Sequence, residues 1–289
     1  MNNLLKPLYQ AAKKTRYYIH SSSLSPENKI FIDRLMVSPK SFLGKGRDVC
    51  FVFDGDEDLL LVYDDEYCLW FYETSRALRY FNGVSKSFDV LKKRYFPREL
   101  LLSEVSGSTV IDVGANVGEF SFLCESLGAS RVIAFEPDPI AYKCLSRNSN
   151  RIGGVVSPYN VLLHEKEKEV NFFLSPKSAD SSFIEPDSYD KVEKVQAVTL
   201  NQYASKIGND RLLIKVEAEG GEPEVLKGSR EILKRGNVFL TVRASFERQG
   251  ESTMPECKKI LHDAGYRYFI SEDGKQLLGW SPELRSPLA

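Results

Sequence analysis

The sequence predicts an α/β fold built on a mostly parallel sheet that is covered on both faces. Three observations carry this reading. From Thr109 onward, strand-like and helix-like runs alternate. The strands are apolar along their length instead of alternating, as strands buried on both faces are. A closing hairpin about Asp273–Gly274 adds an antiparallel edge. Ahead of the sheet lies a helical and small β extension, which places the domain boundary at residues 1–100 and 101–289.

Taken in order, residues 1–45 read as helical and loop-rich, with Ser21–Ser25 and Pro26 marking a break. Lys6, Lys13, Lys14 and Arg16 have no acidic neighbour until Glu27. A helix resting on an anionic membrane surface is one reading. A solvated helix covering the main domain is favoured, because so few charges barely reach the polybasic threshold. Val49–Phe53, Leu59–Tyr63 and Leu69–Tyr72 then read as a small antiparallel meander with acidic turns. Asp54, Asp56 and Asp58 resemble the start of a calcium loop, but Leu59 stands where the required glycine belongs, so turn chemistry is favoured.

Ser87–Phe96 reads as a helix. Strands follow at Val110–Val113, Arg131–Phe135, Val155–Leu163, Val170–Leu174, Val192–Val198, Leu212–Val216 and Val238–Val242. Helices are expected at Val117–Leu127, Asp138–Asn148, Pro223–Leu233 and Pro255–Asp263, with Thr199 capping a short one to Lys206 and a loop at Ser175–Tyr189. Tyr266–Ile270 and Gln276–Trp280 form the closing hairpin.

Composition excludes several classes. The chain has 289 residues, 42% hydrophobic and 27% charged, ordinary values for a globular protein. A net charge of −1 argues against a nucleic-acid partner, since neutralising phosphates needs a basic excess. No apolar run approaches the roughly 20 residues that span a bilayer. Leu4 and Leu5 are followed at once by Lys6 and Pro7, which is not the apolar core of a signal peptide. The cysteines, Cys50, Cys68, Cys124, Cys144 and Cys257, are odd in number and lack metal-ligand spacing, so no metal site is expected from them. A reduced, cytoplasmic protein is the expectation.

The sharpest feature is Val110-Ile-Asp-Val-Gly-Ala-Asn-Val-Gly118. A buried strand ends at Asp112, and Gly114, Asn116 and Gly118 form a turn that opens a helix. Glycines there let backbone approach a ligand, and open parallel sheets bind ligands at the carboxyl ends of their strands. A dinucleotide fold would want Gly-x-Gly-x-x-Gly to seat a pyrophosphate. Here the spacing is Gly-x-Asn-x-Gly, and Asp112 would repel phosphates while suiting an ammonium or sulfonium. S-Adenosylmethionine has both cations and no phosphate, so the acidic turn favours it over NAD. The next strand ends in Phe135-Glu136-Pro137-Asp138, where an acid 24 positions after Asp112 can accept both ribose hydroxyls, which supports an adenosine-containing ligand without choosing between the two. Asp112, Gly114, Asn116, Gly118, Glu136 and Pro137 are the candidate cofactor residues.

These stretches resemble the FkbM family of methyltransferases. The matching segments are Ile111-Asp-Val-Gly-Ala-Asn-Val-Gly-Glu-Phe120, Ile133-Ala-Phe-Glu-Pro137, Ser181-Ser-Phe-Ile-Glu-Pro186, Val198-Thr-Leu200 and Leu213-Ile-Lys-Val-Glu-Ala-Glu-Gly-Gly-Glu-Pro-Glu-Val-Leu-Lys-Gly228. They occur in family order across residues 108–270. The resemblance implies a Rossmann-like sheet (the class I methyltransferase fold), S-adenosylmethionine as donor, and oxygen as the usual acceptor atom. It makes a sugar hydroxyl, free or in a glycan precursor, a reasonable acceptor. Where the family usually has aspartate this chain has Glu217, and it has Gly221 for alanine and Asn201 for a frequent aspartate. The extra methylene at Glu217 moves a carboxylate by about 1.5 Å, and misplacement of that order can cost roughly a hundredfold in rate, so either the site is adjusted around glutamate or activity is impaired.

Methyl transfer needs acceptor oxygen, methyl carbon and sulfur in line, and a group to take the hydroxyl proton. Lys215, Glu217, Glu219 and Glu222 crowd the end of one strand and the start of a helix. In an extended segment Lys215, Glu217 and Glu219 point to one side, poised to act as base, to bind sugar hydroxyls or to hold a divalent metal. Alternatively, Glu222 and Glu224 complement their helix dipole while Lys215 pairs with a neighbour. His164 titrates near neutral pH and is a candidate base, though a lone histidine is more often structural. Ser181 and Ser182 are candidates for acceptor or cofactor contact, with loop capping as the alternative. Arg243 could anchor an anionic or hydroxyl-rich acceptor, against a surface ion pair. The leading function is an O-methyltransferase acting on a sugar or glycan precursor. A non-catalytic binding or scaffold protein is the alternative, and Glu217→Asp separates the two, since an impaired enzyme gains activity and a scaffold shows none.

Overall fold

The computed structural model describes residues 15–19, 49–54, 59–64, 67–72, 80, 83–152, 154–175, 181–208, 210–245, 247–248 and 250–287. The chain divides into two units, Met1–Val90 and Leu91–Ala289.

The first unit holds a four-stranded sheet of β1 (Thr15–Ile19), β2 (Val49–Asp54), β3 (Leu59–Tyr63) and β4 (Cys68–Phe71), ordered as in sequence. The meander β2–β3–β4 is antiparallel, as its alternation of apolar runs and acidic turns predicts. Within the stretch read as helical and loop-rich, Thr15–Ile19 is instead a strand parallel to β2. Its Thr-Arg-Tyr-Tyr-Ile sequence is rich in the β-branched and aromatic residues that suit a pleated surface. The remainder of residues 1–45, and the turn at Asp56 and Asp58, lie outside the described residues. Helix α1 (Val84–Tyr95) begins where Asp64 caps it, accepting from the Ser85 backbone N–H at 3.0 Å.

In the second unit, β5 (Thr109–Val113) leads into α2 (Glu119–Ser126), β6 (Arg131–Phe135), α3 (Pro139–Ile152) and β7 (Val156–Tyr159). The chain then builds a separate three-stranded sheet from β8 (Leu162–Leu163), β9 (Lys168–Leu174) and β10 (Lys191–Val198), ordered β8-β10-β9. The single strand expected over Val155–Leu163 is therefore two strands in two sheets. They part at Asn160, whose side-chain amide donates to the Glu136 and Pro137 carbonyls.

After α4 (Ala204–Ile207) the main sheet resumes with β11 (Leu212–Val216), α5 (Glu222–Lys227), α6 (Arg230–Leu233) and β12 (Val238–Arg243). A short hairpin of β13 (Glu247–Arg248) and β14 (Glu251–Ser252), then α7 (Met254–Asp263), β15 (Arg267–Ile270) and β16 (Gln276–Trp280), complete the chain. The helix expected over Pro223–Leu233 breaks at Gly228–Ser229. A Cβ on Gly228 would lie 2.0 Å from the His164 carbonyl oxygen, so the backbone packs there as only glycine permits.

The main sheet is ordered β15-β16-β12-β11-β5-β6-β7. Its β12, β11, β5, β6 and β7 are parallel, and β16 and β15 form the antiparallel edge. This is the Rossmann-like arrangement, and the strand order reverses between β5 and β11, the place where such sheets bind ligands. Every residue of β5 and β11 is buried, which is why neither strand alternates. Two of those buried residues, Asp112 and Lys215, are charged and sit opposite one another in register. No helix among the described residues is long and apolar enough to cross a membrane.

Candidate active site

The parallel register lines up one residue from each strand at the carboxyl edge. The ladder continues past the strand ends, since Gly114 N–H donates to the Phe135 carbonyl, Glu136 N–H to Tyr159 and Glu217 N–H to Val113. Glu136, Gly114, Glu217 and Arg243 thus form a terminal row across β6, β5, β11 and β12. At about 4.8 Å per strand the row spans roughly 14 Å. Two residues lower, the same face carries Ala134, Asp112, Lys215 and Thr241.

Beneath the row lies a buried ion pair. Lys215 Nζ is 3.0 Å from Asp112 Oδ1, with neither side chain more than 3% exposed. Lys215 also donates to the Gly114 carbonyl at 2.7 Å and the Val113 carbonyl at 3.2 Å, and Ser121 Oγ donates to Asp112 Oδ2 at 2.7 Å. The cation that the acidic strand end attracts is therefore the chain's own lysine, which ties β11 to the glycine turn. Such a pair holds geometry, and either partner alone would be a costly buried charge.

The glycines of the turn answer to the protein's own packing. Gly114 has φ 71°, and a Cβ on it would lie 1.8 Å from the Glu217 carbonyl oxygen. Gly118 has φ 97°, and a Cβ there would meet Phe122 and Leu145. Asn116 occupies the left-handed region at φ 52°.

Glu136 closes the turn from the other side. Its Oε2 accepts the Asn116 backbone N–H at 2.6 Å and its Oε1 that of Asp138 at 2.8 Å. Burial raises this carboxyl to about 7, against the lowering effect of those backbone hydrogen bonds. Each oxygen keeps a second lone pair, which fits the vicinal hydroxyls of a ribose. Asp112 is buried and neutralised by Lys215, so it does not face a ligand as the sequence suggests, and Glu136 would serve the ribose of NAD as well. Glu119 stands in the first turn of α2, where a dinucleotide would need its pyrophosphate. Glu136 thus fits an adenosine ligand, and Glu119 at the helix start disfavours the pyrophosphate of NAD. Among the described residues, no cluster of three or more His, Cys, Asp or Glu side chains could hold a metal ion.

On the opposite side of β5, Glu217 receives hydrogen bonds from Arg94 and from the Tyr95 hydroxyl. Neither was legible beforehand, because the contacts bridge more than 120 residues. The aromatic pair Tyr95-Phe96 was the available signal. Tyr95 is buried against Phe120 at 4.8 Å between ring centres, and its carbonyl accepts from Thr241 Oγ1 at 2.7 Å. Burial pushes Glu217 up, but Lys215, Arg94, the Tyr95 hydroxyl and Arg243 together hold its carboxyl below the usual range. Burial and the Glu217 charge push the Tyr95 phenol well above its ordinary value, so it stays a donor.

The loop serines act as a strap. Ser181 Oγ donates to Asp138 Oδ2 at 2.8 Å, while Asp138 Oδ1 caps α3. Ser182 Oγ donates to the Glu219 carbonyl at 2.8 Å. Adjacent serines therefore join the loops that follow β6 and β11. Glu219 sits in the second of these loops at φ 46°.

Other candidates stand apart from the row. Glu222 is fully buried, its Oε1 accepting from Ala218 N–H and Gly220 N–H and its Oε2 from Thr253 Oγ1, so it shapes the loop. Glu224 pairs with Arg248. His164 is buried with its ring 5.1 Å from Phe183, and burial lowers its pKa. The charges acting on it, Lys168, Glu224, Glu165 and Lys166, all lie outside the strand-end row. Pro137 is partly buried, its carbonyl held by Asn160.

Several known proteins match parts of this chain. Hexuronic acid methyltransferase AglP of Haloferax volcanii is 32% identical over 152 residues, 49% of this chain and 58% of its own length. Methyltransferase sdnD of Sordaria araneosa is 28% identical over 215 residues, 62% of this chain and 79% of its own length. The crystal structure of a methyltransferase FkbM from Methylobacillus flagellatus superposes with a TM-score of 0.43 at 19% identity, over 61% of this chain and 44% of that one. The match with AglP thus spans less than two thirds of that protein. The model of the methyltransferase FkbM domain matches residues 112–268, from the carboxylate beneath the glycine turn to the edge hairpin, and the chain belongs to that family.

Proposed function

We propose that this chain is an S-adenosylmethionine-dependent O-methyltransferase whose acceptor is a hydroxyl of a sugar or glycan precursor. The observation that carries the reading is the terminal row, with Glu136 on one side of the glycine turn and Glu217 with its donors on the other. Glu136 would hold the ribose, with the backbone of Gly114–Gly118 beneath the rest of the cofactor. S-Adenosylmethionine supplies, when bound, an electrophilic methyl group on a sulfonium. The name of AglP, a methyltransferase of hexuronic acid, supports a sugar acceptor.

The chain's own residues then do three things. The Lys215–Asp112 pair fixes β11 against the turn, so that donor side and acceptor side keep a constant separation. Arg94 and Tyr95 each use one lone pair of the Glu217 carboxylate, and the remaining two can accept the acceptor's hydroxyl. Glu217 also receives that hydroxyl's proton. As the new O–C bond forms, the oxygen becomes strongly acidic, so a carboxylate kept ionised at low pKa is a sufficient acceptor.

The test is formation of S-adenosylhomocysteine on incubating the protein and S-adenosylmethionine with a panel of neutral sugars, uronic acids and nucleotide sugars. Product methyl ether with at least one of them supports the reading. No turnover with any sugar, in protein that binds S-adenosylhomocysteine, refutes the acceptor class.

A further inference from the structure

Arg243 ends the row on the acceptor side, and its charge is only loosely matched. Asp112 is matched by Lys215, and Glu217 by Arg94 and Tyr95. Arg243 meets a single carboxylate, Asp273, at 4.0 Å, the outer limit of an ion pair, and Asp273 is itself 57% exposed. Beyond that pairing, its guanidinium makes no hydrogen bond among the described residues, although the side chain is only 17% exposed. None of the Arg243 nitrogens is among the buried side-chain atoms that lack a hydrogen bond, so the donors of its planar fork face water and are open to a ligand. An arginine whose only ion-pair partner among the described residues is this distant suits bidentate recognition of an oxyanion.

The position adds a constraint. Arg243 follows β12 and Glu217 follows β11, one step beyond the registered pair Val216 and Val242. One strand spacing, about 4.8 Å, separates them in the row, and the Arg243 charge acts on the Glu217 carboxyl. An acidic group and a hydroxyl on the same sugar ring, or on neighbouring ones, can bridge that gap. The positive charge of Arg94, held on the Glu217 carboxylate, offsets the repulsion between an incoming anion and Glu217.

We propose that Arg243 is the oxyanion subsite of the acceptor, so that the acceptor is an acidic sugar bearing a carboxylate or phosphate. Arg243 grips the oxyanion in two parallel N–H···O bonds and thereby delivers the neighbouring hydroxyl to Glu217. This rests on the reading of the β11–β12 edge as the acceptor side.

The test is saturation-transfer NMR on protein loaded with S-adenosylhomocysteine, using D-glucuronate, glucose 1-phosphate and glucose at equal concentration. Loading is checked separately by calorimetry. One or both anions should bind more tightly than glucose by about 10–100-fold, the net worth of hydrogen bonds to a charged group. Which anion leads identifies carboxylate or phosphate. Arg243→Gln should abolish the preference and Arg243→Lys should keep part of it, while Asp273→Ala should leave it intact. Equal binding of acid and neutral sugars, binding of neither anion, or a preference that survives Arg243→Gln overturns the proposal. If S-adenosylhomocysteine fails to bind while the Arg243-dependent preference persists, the cofactor reading fails and the subsite stands.

Discussion

Glu217→Asp tests whether the longer side chain is a defect or a fitted part. The family habit of aspartate suggests that shortening the residue would improve the enzyme. The structure predicts the reverse, because the glutamate reaches Arg94 and Tyr95. Removing one methylene withdraws the carboxylate by about 1.5 Å, which takes both donors out of hydrogen-bond range. A hydrogen bond to a charged group contributes about 1.5–3 kcal/mol net. Arg94 is 32% exposed, so water replaces much of its share, whereas the buried Tyr95 hydroxyl is left without an acceptor. About 3 kcal/mol in total follows, or a fall in Tm of roughly 6–12 °C for a unit of this size. Calorimetric unfolding at neutral pH measures it. Tyr95→Phe in the Glu217→Asp background should cost less than Tyr95→Phe alone, since the two share one interaction. The pH dependence has a definite sign. A carboxyl held below its usual range stabilises the fold above that range, and loses the contribution as pH falls through its lowered value. The gap in stability between the wild type and Glu217→Gln should therefore close in acid. An aspartate variant with unchanged Tm and faster methyl transfer would refute the reasoning.

Three further outcomes follow from the same geometry. Glu136, raised to about 7 by burial, favours its protonated form in the fold, so its contribution is full below the ordinary carboxylate range and lost as pH rises through 7. Over that window the wild type should lose about 1.4 kcal/mol per pH unit relative to Glu136→Gln, and a flat difference in urea unfolding would contradict it. Asp112→Ala leaves Lys215 buried and uncompensated and should cost about 3–5 kcal/mol. Asp112→Asn with Lys215→Met should recover most of that, and failure to recover would deny the pair its structural role. Gly114→Ala combines a contact of 1.8 Å with a left-handed backbone, and should destabilise by about 2–4 kcal/mol on thermal unfolding.

Much of the main sheet was legible because its strands are uninterrupted apolar runs. Arg131–Phe135 and Leu212–Val216 fall where the sequence puts them, and so does the hairpin about Asp273–Gly274. Legibility ended where long-range packing decides. Val155–Leu163 reads as one strand because nothing local shows that Asn160 turns the chain into a second sheet. The helix break at Gly228 depends on a carbonyl from His164, more than sixty residues earlier. At the site, Glu136 and Glu217 could be singled out by their place at strand ends. The partners of the carboxylates could not, since Arg94 and Tyr95 come from a helix ahead of the sheet. Lys215 and Asp112 were both recognised as chemically important, yet their pairing depends on register between strands distant in sequence.

The central claim is that the edge around Asp112–Gly118 and Glu136 receives S-adenosylmethionine. Calorimetric titration with S-adenosylhomocysteine, with NAD as control, tests it most directly. The account predicts micromolar binding of S-adenosylhomocysteine alone, weakened strongly by Glu136→Ala in protein shown to remain folded. Binding of NAD in its place, or of neither ligand, would contradict it.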